Sequence, residues 1–197
     1  MALPAADVFT GTNGTALTTY SASWTLNSGN FEIQSNQVRS NAAATETGAH
    51  WNADAFTANH YASVVFTNLA GTPYIGPAVR CHASAATYYG YYSSSSVRYI
   101  IKNVAGTPTV LATVAAGIAD THTMRLEASG TTITPKDNGV TDSGLGAQSD
   151  AAIASGSAGI SGYASGAGCR GDTFAADNLA ATVTGTGWAS GGQGGWF

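Results

Sequence analysis

The stretch TYYGYYSSSSVRYIIK, Thr87 to Lys102, sets four tyrosines around one glycine and follows them with Arg98 and Lys102. Tyrosine rings stack on sugar rings or bury against a partner, because each ring is amphipathic and costs little entropy to immobilise. On a strand, alternate residues point to opposite faces, so Tyr88 and Tyr92 share one face and Tyr89 and Tyr91 the other. One pair faces the core, and the other lies on an outer sheet face near Arg98 and Lys102. Tyr89, Tyr91 and Arg98 are the expected contact set for a glycan or a protein partner. The competing reading is a hairpin whose tyrosines only pack a sheet face, where their β propensity serves equally well.

Other reactive residue types form no catalytic set. Glycoside hydrolysis needs two carboxyl groups, about 5–5.5 Å or about 6.5–9.5 Å apart. The chain has eleven Asp and Glu, yet Glu32 and Glu127 stand alone on their segments and read as solvated, outward residues. His50, His60, His82 and His122 lack metalloprotease spacing, and His122 falls on the apolar side of its strand, as a core residue would. Neither a nucleophile elbow nor a phosphate-binding glycine loop is present. The expectation is therefore a protein that is not an enzyme. Arg170-Gly171-Asp172 spells RGD, but it precedes the closing strand and reads as a chance triplet. Cys81 and Cys169 are expected as buried free thiols, with no Cys/His cluster for zinc.

The elements that must position these residues are short. No segment longer than about ten residues carries the 3.6-residue apolar period of a helix. NFEIQSNQVRS reads as a hairpin turning near Ser35-Asn36, and HYASVVFTNL as a strand from Tyr61 to Leu69. VRYIIK and TPTVLATV flank the turn NVAGT. In THTMRLEAS, His122, Met124 and Leu126 alternate with Thr123, Arg125 and Glu127. The chain then turns at Ser129-Gly130 and again at DNG, where positive φ is wanted. AGISGYAS and DTFAADNLAATV supply closing strands. Ten or more short strands with frequent turns predict an all-β, antiparallel sandwich in one domain. GTGWASGGQGGWF, residues 185–197, reads as a Gly-rich flexible tail whose Trp188, Trp196 and Phe197 could dock into a neighbouring subunit.

Composition narrows the partners. Only 9% of residues are charged, against roughly 25% in an ordinary soluble domain, so solubility rests on Ser, Thr, Asn and the backbone. The seven basic residues are scattered and the net charge is −4, which argues against nucleic acid. No apolar run approaches the roughly 18–20 residues of a membrane span. MALPAADVF lacks the basic start and apolar stretch of a signal peptide, so none is expected.

The order of these pieces resembles the concanavalin A-like, laminin-G-like jelly rolls found in lectin domains, glycanase-linked modules and phage structural proteins. The resemblance rests on DVFTGTNGTALTTYSASW, FEIQSNQVRS, YYGYY with VRYIIKNVAGTPTVL, HTMRLEASGTTITPKDNGV, SDAAIASGSAGI and DTFAADNLAATV, over roughly residues 7–184. It implies a two-sheet antiparallel jelly roll occupying residues 1–184, with the first and last strands adjacent. Some relatives bind calcium, which places a candidate Ca²⁺ site at Asp7 and Asp177, near Asp172. The Glu-x-Asp-x-x-Glu strand of the sandwich glucanases is missing. The expected function is a non-catalytic virion structural protein, a capsid decoration or fibre-type jelly roll of a bacteriophage. Made in the host cytoplasm and displayed on the virion surface as a homo-oligomer, it would bind the shell protein, its own copies or a surface glycan. The alternative is a secreted, extracellular carbohydrate-binding module detached from a glycan-degrading enzyme.

Overall fold

The structure is a computed structural model that describes residues 3–180 apart from 44, 72 and 165. Trp188, Trp196 and Phe197, expected as subunit anchors, lie outside the described residues. In chain order the strands begin with β1 (Ala5–Asp7), β2 (Trp24–Ser28), β3 (Phe31–Ile33), β4 (Val38–Ser40), β5 (Glu46–Trp51) and β6 (His60–Thr67). Next come β7 (Tyr74–Cys81), β8 (Tyr88–Ser93), β9 (Arg98–Val104), β10 (Thr107–Val114), β11 (Thr123–Ser129) and β12 (Thr132–Asp137). The last are β13 (Val140–Thr141), β14 (Gln148–Ser149), β15 (Ser157–Tyr163) and β16 (Arg170–Asn178). One helical turn, α1 (Leu17–Tyr20), follows β1. No helix among the described residues is long and apolar enough to cross a membrane.

The strands form two antiparallel sheets. The first runs β13-β12-β11-β6-β16-β4-β3, with β1 on β16 and β14 on β12; the second runs β10-β9-β8-β7-β15-β5-β2. Alternation decides what is buried. In β11, Met124, Leu126 and Ala128 point inward while Thr123, Arg125 and Glu127 stay half-exposed. Their buried partners include Val64 and Phe66 of β6, Ile133 of β12, and Ile75, Val79, Ile100 and Ile160 from the second sheet. At one end, Trp24 packs edge-on against Trp51 and Phe174, with ring centroids 5.3 and 4.8 Å apart.

The turns follow the local chemistry. Asn138 and Gly139 both take positive φ, 47° and 82°, between the paired Asp137 and Val140, the geometry that a two-residue hairpin wants. Ser35 and Asn36 do the same between β3 and β4, at 55° and 56°. His122 departs from expectation. It precedes β11 rather than entering its apolar row, and its Nδ1 lies 2.7 Å from Asp137 Oδ1 with about a third of the side chain exposed. Glu32 departs too: it is buried, held by Arg39 and by Asn41. Glu127 is no free outward carboxylate either, since Lys136 and Arg125 both pair with it. The RGD triplet lies inside β16, paired along β6, and not in a loop.

Arg80 is buried without a carboxylate. Its guanidinium donates instead to three backbone carbonyls, those of Ala58, Ile153 and Gly130. Its backbone N–H donates to His60 Nε2 at 3.1 Å, which requires the other His60 nitrogen to carry the proton toward the Thr57 carbonyl. Burial pushes His60 down to about 4, so this ring is neutral at pH 7.

Candidate functional site

The parity of the tyrosine run is as alternation requires, but the faces are the reverse of the expected ones. Tyr89 and Tyr91 are fully buried between the sheets; they are not an outer contact pair. Each hydroxyl meets a carboxylate carried by the segment from β13 to just beyond β14. Tyr91 donates to Asp142 Oδ2 at 3.0 Å, and Arg98 grips the same carboxylate with two bonds of 2.6 and 2.9 Å. Tyr89 donates to Asp150 Oδ1 at 2.5 Å, while Lys102 Nζ reaches Oδ2 at 2.6 Å. Burial pushes both carboxyls up, but these donors and cations more than offset it and hold them below the usual carboxylate range. Arg98 is thus a clamp between the sheets, not a surface contact. The register explains why: Tyr91 opposes Ile100 and Tyr89 opposes Lys102, so the side chains of Arg98, Ile100 and Lys102 share the inner face.

The outer face of the second sheet carries the other tyrosines. Tyr163 of β15 stands opposite Tyr74 of β7, and Tyr92 of β8 opposite Tyr99 of β9. Tyr74 touches all three others, with centroids 5.4, 5.7 and 5.9 Å from Tyr92, Tyr99 and Tyr163. Glu46 of β5 pairs across from Tyr163, and its Oε1 accepts the Tyr92 hydroxyl at 2.9 Å. Its Oε2 is buried and has no partner. These five residues and Val110 line a cavity of about 200 Å³.

A second cavity of about 340 Å³ meets the first at Glu46 and Tyr163 and continues to Ser28, Thr45, Asn103, Gly106 and Pro108. Its walls come from both ends of the sheet. From β5 to β9 is four strand steps, roughly 19 Å on a flat sheet, so one cavity lined by both requires the sheet to cup. The floor lets it. Tyr88 lies across the middle strands, its hydroxyl donating to the Thr47 carbonyl at 3.1 Å on β5. A Cβ on Gly48 would come within 2.4 Å of that ring, and one on Gly90 within 2.6 Å of Ser161 Oγ. Only minimal side chains fit beneath it.

Tyr74, Tyr99, Tyr163, Glu46 and Asn103 were not singled out in the sequence. In the sequence Tyr99 alternates with Arg98 and Lys102, the residues expected on the outer face, and so falls on the inward row of VRYIIK; the register reverses that. The signal that could have found part of them is on β7 and β15, where Tyr74 and Tyr163 share their outward row with Gly76, Ala78, Gly159 and Ser161.

Burial pushes the Glu46 carboxyl up, and the Tyr92 hydroxyl offsets only part of this. A carboxyl raised in the folded state costs stability when ionised; the cost is full above its folded pKa, shrinks as pH falls through it and is gone below the ordinary unfolded value. Glu46→Gln is therefore expected to raise Tm at pH 7 by no more than about 2–4 °C, the shift that 1 kcal/mol produces in a chain of this size. The gain disappears in acid. Calorimetric melts at pH 7 and pH 4 check both signs.

The residues expected to hold calcium do not fit the ion. Asp7 spends one oxygen on Phe9 N–H and the Tyr20 hydroxyl and the other on Trp24 Nε1. Its register partner on β16 is Phe174, three residues from Asp177 or about 10 Å along a strand. Ca²⁺ needs six to eight oxygens around one point. Among the described residues, no three His, Cys, Asp or Glu side chains gather where a metal could sit. Cys81 and Cys169 are both buried and unpaired with each other.

No protein-family model and no curated protein matches the sequence. Solved structures share its fold. The carbohydrate binding module CBM66 from Bacillus subtilis aligns with a TM-score of 0.59 at 13% identity, over 79% of this chain and 92% of that one. The exoplasmic/lumenal domain of VIP36, in a Ca²⁺/Man3GlcNAc-bound form, aligns at 0.53 and 12%, over 81% and 86%. The xyloglucan-locus GH43B of Bacteroides ovatus aligns at 0.54 and 19%, over 91% of this chain but 40% of that one. The fold is thus a galectin-like, concanavalin A-like jelly roll, as the sequence resemblance implied.

Proposed function

We propose that this chain is a non-catalytic carbohydrate-binding domain whose ligand lies along the groove from Tyr74 and Tyr99 past Tyr163 and Glu46 to Asn103. The observation that carries the reading is the cluster of four tyrosines on the cupped outer face, three of them half-exposed, beside two acceptors without a donor, Glu46 Oε2 and Asn103 Oδ1. Sugar rings present apolar faces for such aromatics and hydroxyls for such acceptors. Among the described residues the groove lining includes one carboxyl group, Glu46, and acid–base hydrolysis of a glycoside uses two. The carbohydrate binding module and the Man3GlcNAc-bound VIP36 domain among the similar structures support the same reading.

The test is affinity electrophoresis and calorimetric titration against a panel of soluble polysaccharides. Saturable retardation by at least one of them is expected, and a protein that migrates unretarded through all of them overturns the reading. Two settings follow from the sequence: a virion surface, where the shell, neighbouring copies or a surface glycan is bound, and an extracellular carbohydrate-binding module. Stoichiometric co-purification with virus-like particles separates them.

A further inference from the structure

The charge inventory of the groove is lopsided. Among the described residues Glu46 is the one charged side chain in its lining. Arg98 and Lys102 are tied to Asp142 and Asp150, Arg39 to Glu32, and Arg125 and Lys136 to Glu127. Arg80 is committed to backbone carbonyls, and Arg170 belongs to β16 in the other sheet. Among the described residues Glu46 therefore has no counter-cation, and its Oε2 is buried without a donor in the cavity that four tyrosines line.

What would complete that site is a donor that also carries positive charge. A sugar hydroxyl offers Oε2 one neutral hydrogen bond. A protonated amine offers a charge-assisted bond, roughly twice as strong, and its charge is attracted to aromatic faces as well. An anionic sugar meets uncompensated repulsion in the same place. We infer that Glu46 makes this groove selective for glycans bearing a protonated amine, such as oligomers of 2-amino-2-deoxy sugars, over their N-acylated or neutral counterparts. This deepens the carbohydrate-binding reading and rests on it.

Of the groups facing Glu46, only His50 also titrates on the acid side of neutral. Tyr163 of β15, Tyr74 of β7, Tyr88 and Tyr92 of β8 and Tyr99 of β9 are all phenols. His50, two outward positions along β5, is lowered by burial and kept from charging at neutral pH. In acid the ligand amine stays protonated, so loss of preference there comes from the protein, and its absence in Glu46→Gln assigns it to the carboxylate rather than to His50.

The experiment measures Kd for glucosamine oligosaccharides, N-acetylglucosamine oligosaccharides and gluco-oligosaccharides of equal length, in wild type and in Glu46→Gln. Wild type is expected to favour the amine about tenfold or more at pH 6.5 and to lose that ratio as the pH falls through the Glu46 titration. In Glu46→Gln the ratio is expected near one at every pH. Equal or tighter wild-type binding of the acetylated or neutral sugars overturns the selectivity while leaving the groove as a sugar site. An amine preference that survives acid, or survives Glu46→Gln, overturns the role of Glu46. If no oligosaccharide binds wild type, the carbohydrate reading itself fails and takes this inference with it.

Discussion

Asp142→Ala is expected to remove about 3–5 kcal/mol of stability, because it leaves a largely buried guanidinium without its counter-charge. In a chain of this size that corresponds to a fall in Tm on the order of 10 °C. The carboxylate serves more than Arg98: it accepts the Tyr91 hydroxyl and the backbone N–H groups of Gly144 and Leu145. All of these lose their partner together. By contrast, removing Lys136 from its more exposed pair with Glu127 is expected to cost at most about 1 kcal/mol. The comparison decides between burial and mere ion pairing as the source of the effect.

The pH dependence follows from the same carboxyl. Its folded pKa is depressed, so the stabilisation is present above the ordinary carboxylate pKa of about 3.9 and is lost only as the pH falls through the lower folded value. Wild type and Asp142→Ala should therefore differ almost constantly from pH 7 to pH 5 and converge in stronger acid. A double-mutant cycle with Tyr91→Phe should give a coupling energy well above zero, since both residues act on one site. Additive losses, measured by denaturant unfolding, would remove the clamp from the account.

The second large effect belongs to the groove. Tyr74→Ala is expected to weaken glycan binding at least about 30-fold, the loss typical of a central aromatic anchor worth 2 kcal/mol or more. Tyr74 is the ring that contacts the other three. Its half-exposed position keeps the accompanying loss of stability modest, whereas Tyr92, 5% exposed, serves the outer-face core as well as the groove. Tyr91→Phe provides the opposite control: it disturbs the clamp and leaves glycan affinity unchanged. A Tyr91→Phe variant that lost binding with its stability intact would place the ligand elsewhere.

Much of the fold was legible from local chemistry. Met124 and Leu126 of the β11 row, the DNG turn and the Ser35-Asn36 hairpin each depend on neighbours within a few residues, and each appears where the sequence puts it, whereas His122 falls outside the row. Even Tyr88 with Tyr92 and Tyr89 with Tyr91 sort to opposite faces as a period of two demands. What alternation cannot tell is which face is inside, when both are aromatic. Here the inner face is chosen by Asp142 and Asp150, 51 and 61 residues beyond the tyrosines they bind. No local pattern links those partners.

The candidate site was hidden for the same reason. Glu46, Tyr74, Tyr92, Tyr99 and Tyr163 sit on five different strands, and they meet only because β15 inserts between β5 and β7 in the second sheet. The sequence by itself determined that this chain would form antiparallel strands with alternating faces and a surface poor in charge. Period, turn residues and composition are properties of neighbouring positions, so those statements needed nothing more. Strand order, sheet curvature and the pairing of buried charges are properties of distant positions brought together. They decided that the exposed tyrosine cluster is built on Tyr74, Tyr99 and Tyr163, that Tyr89 and Tyr91 are core, and that Glu46 stands in the groove without a counter-charge.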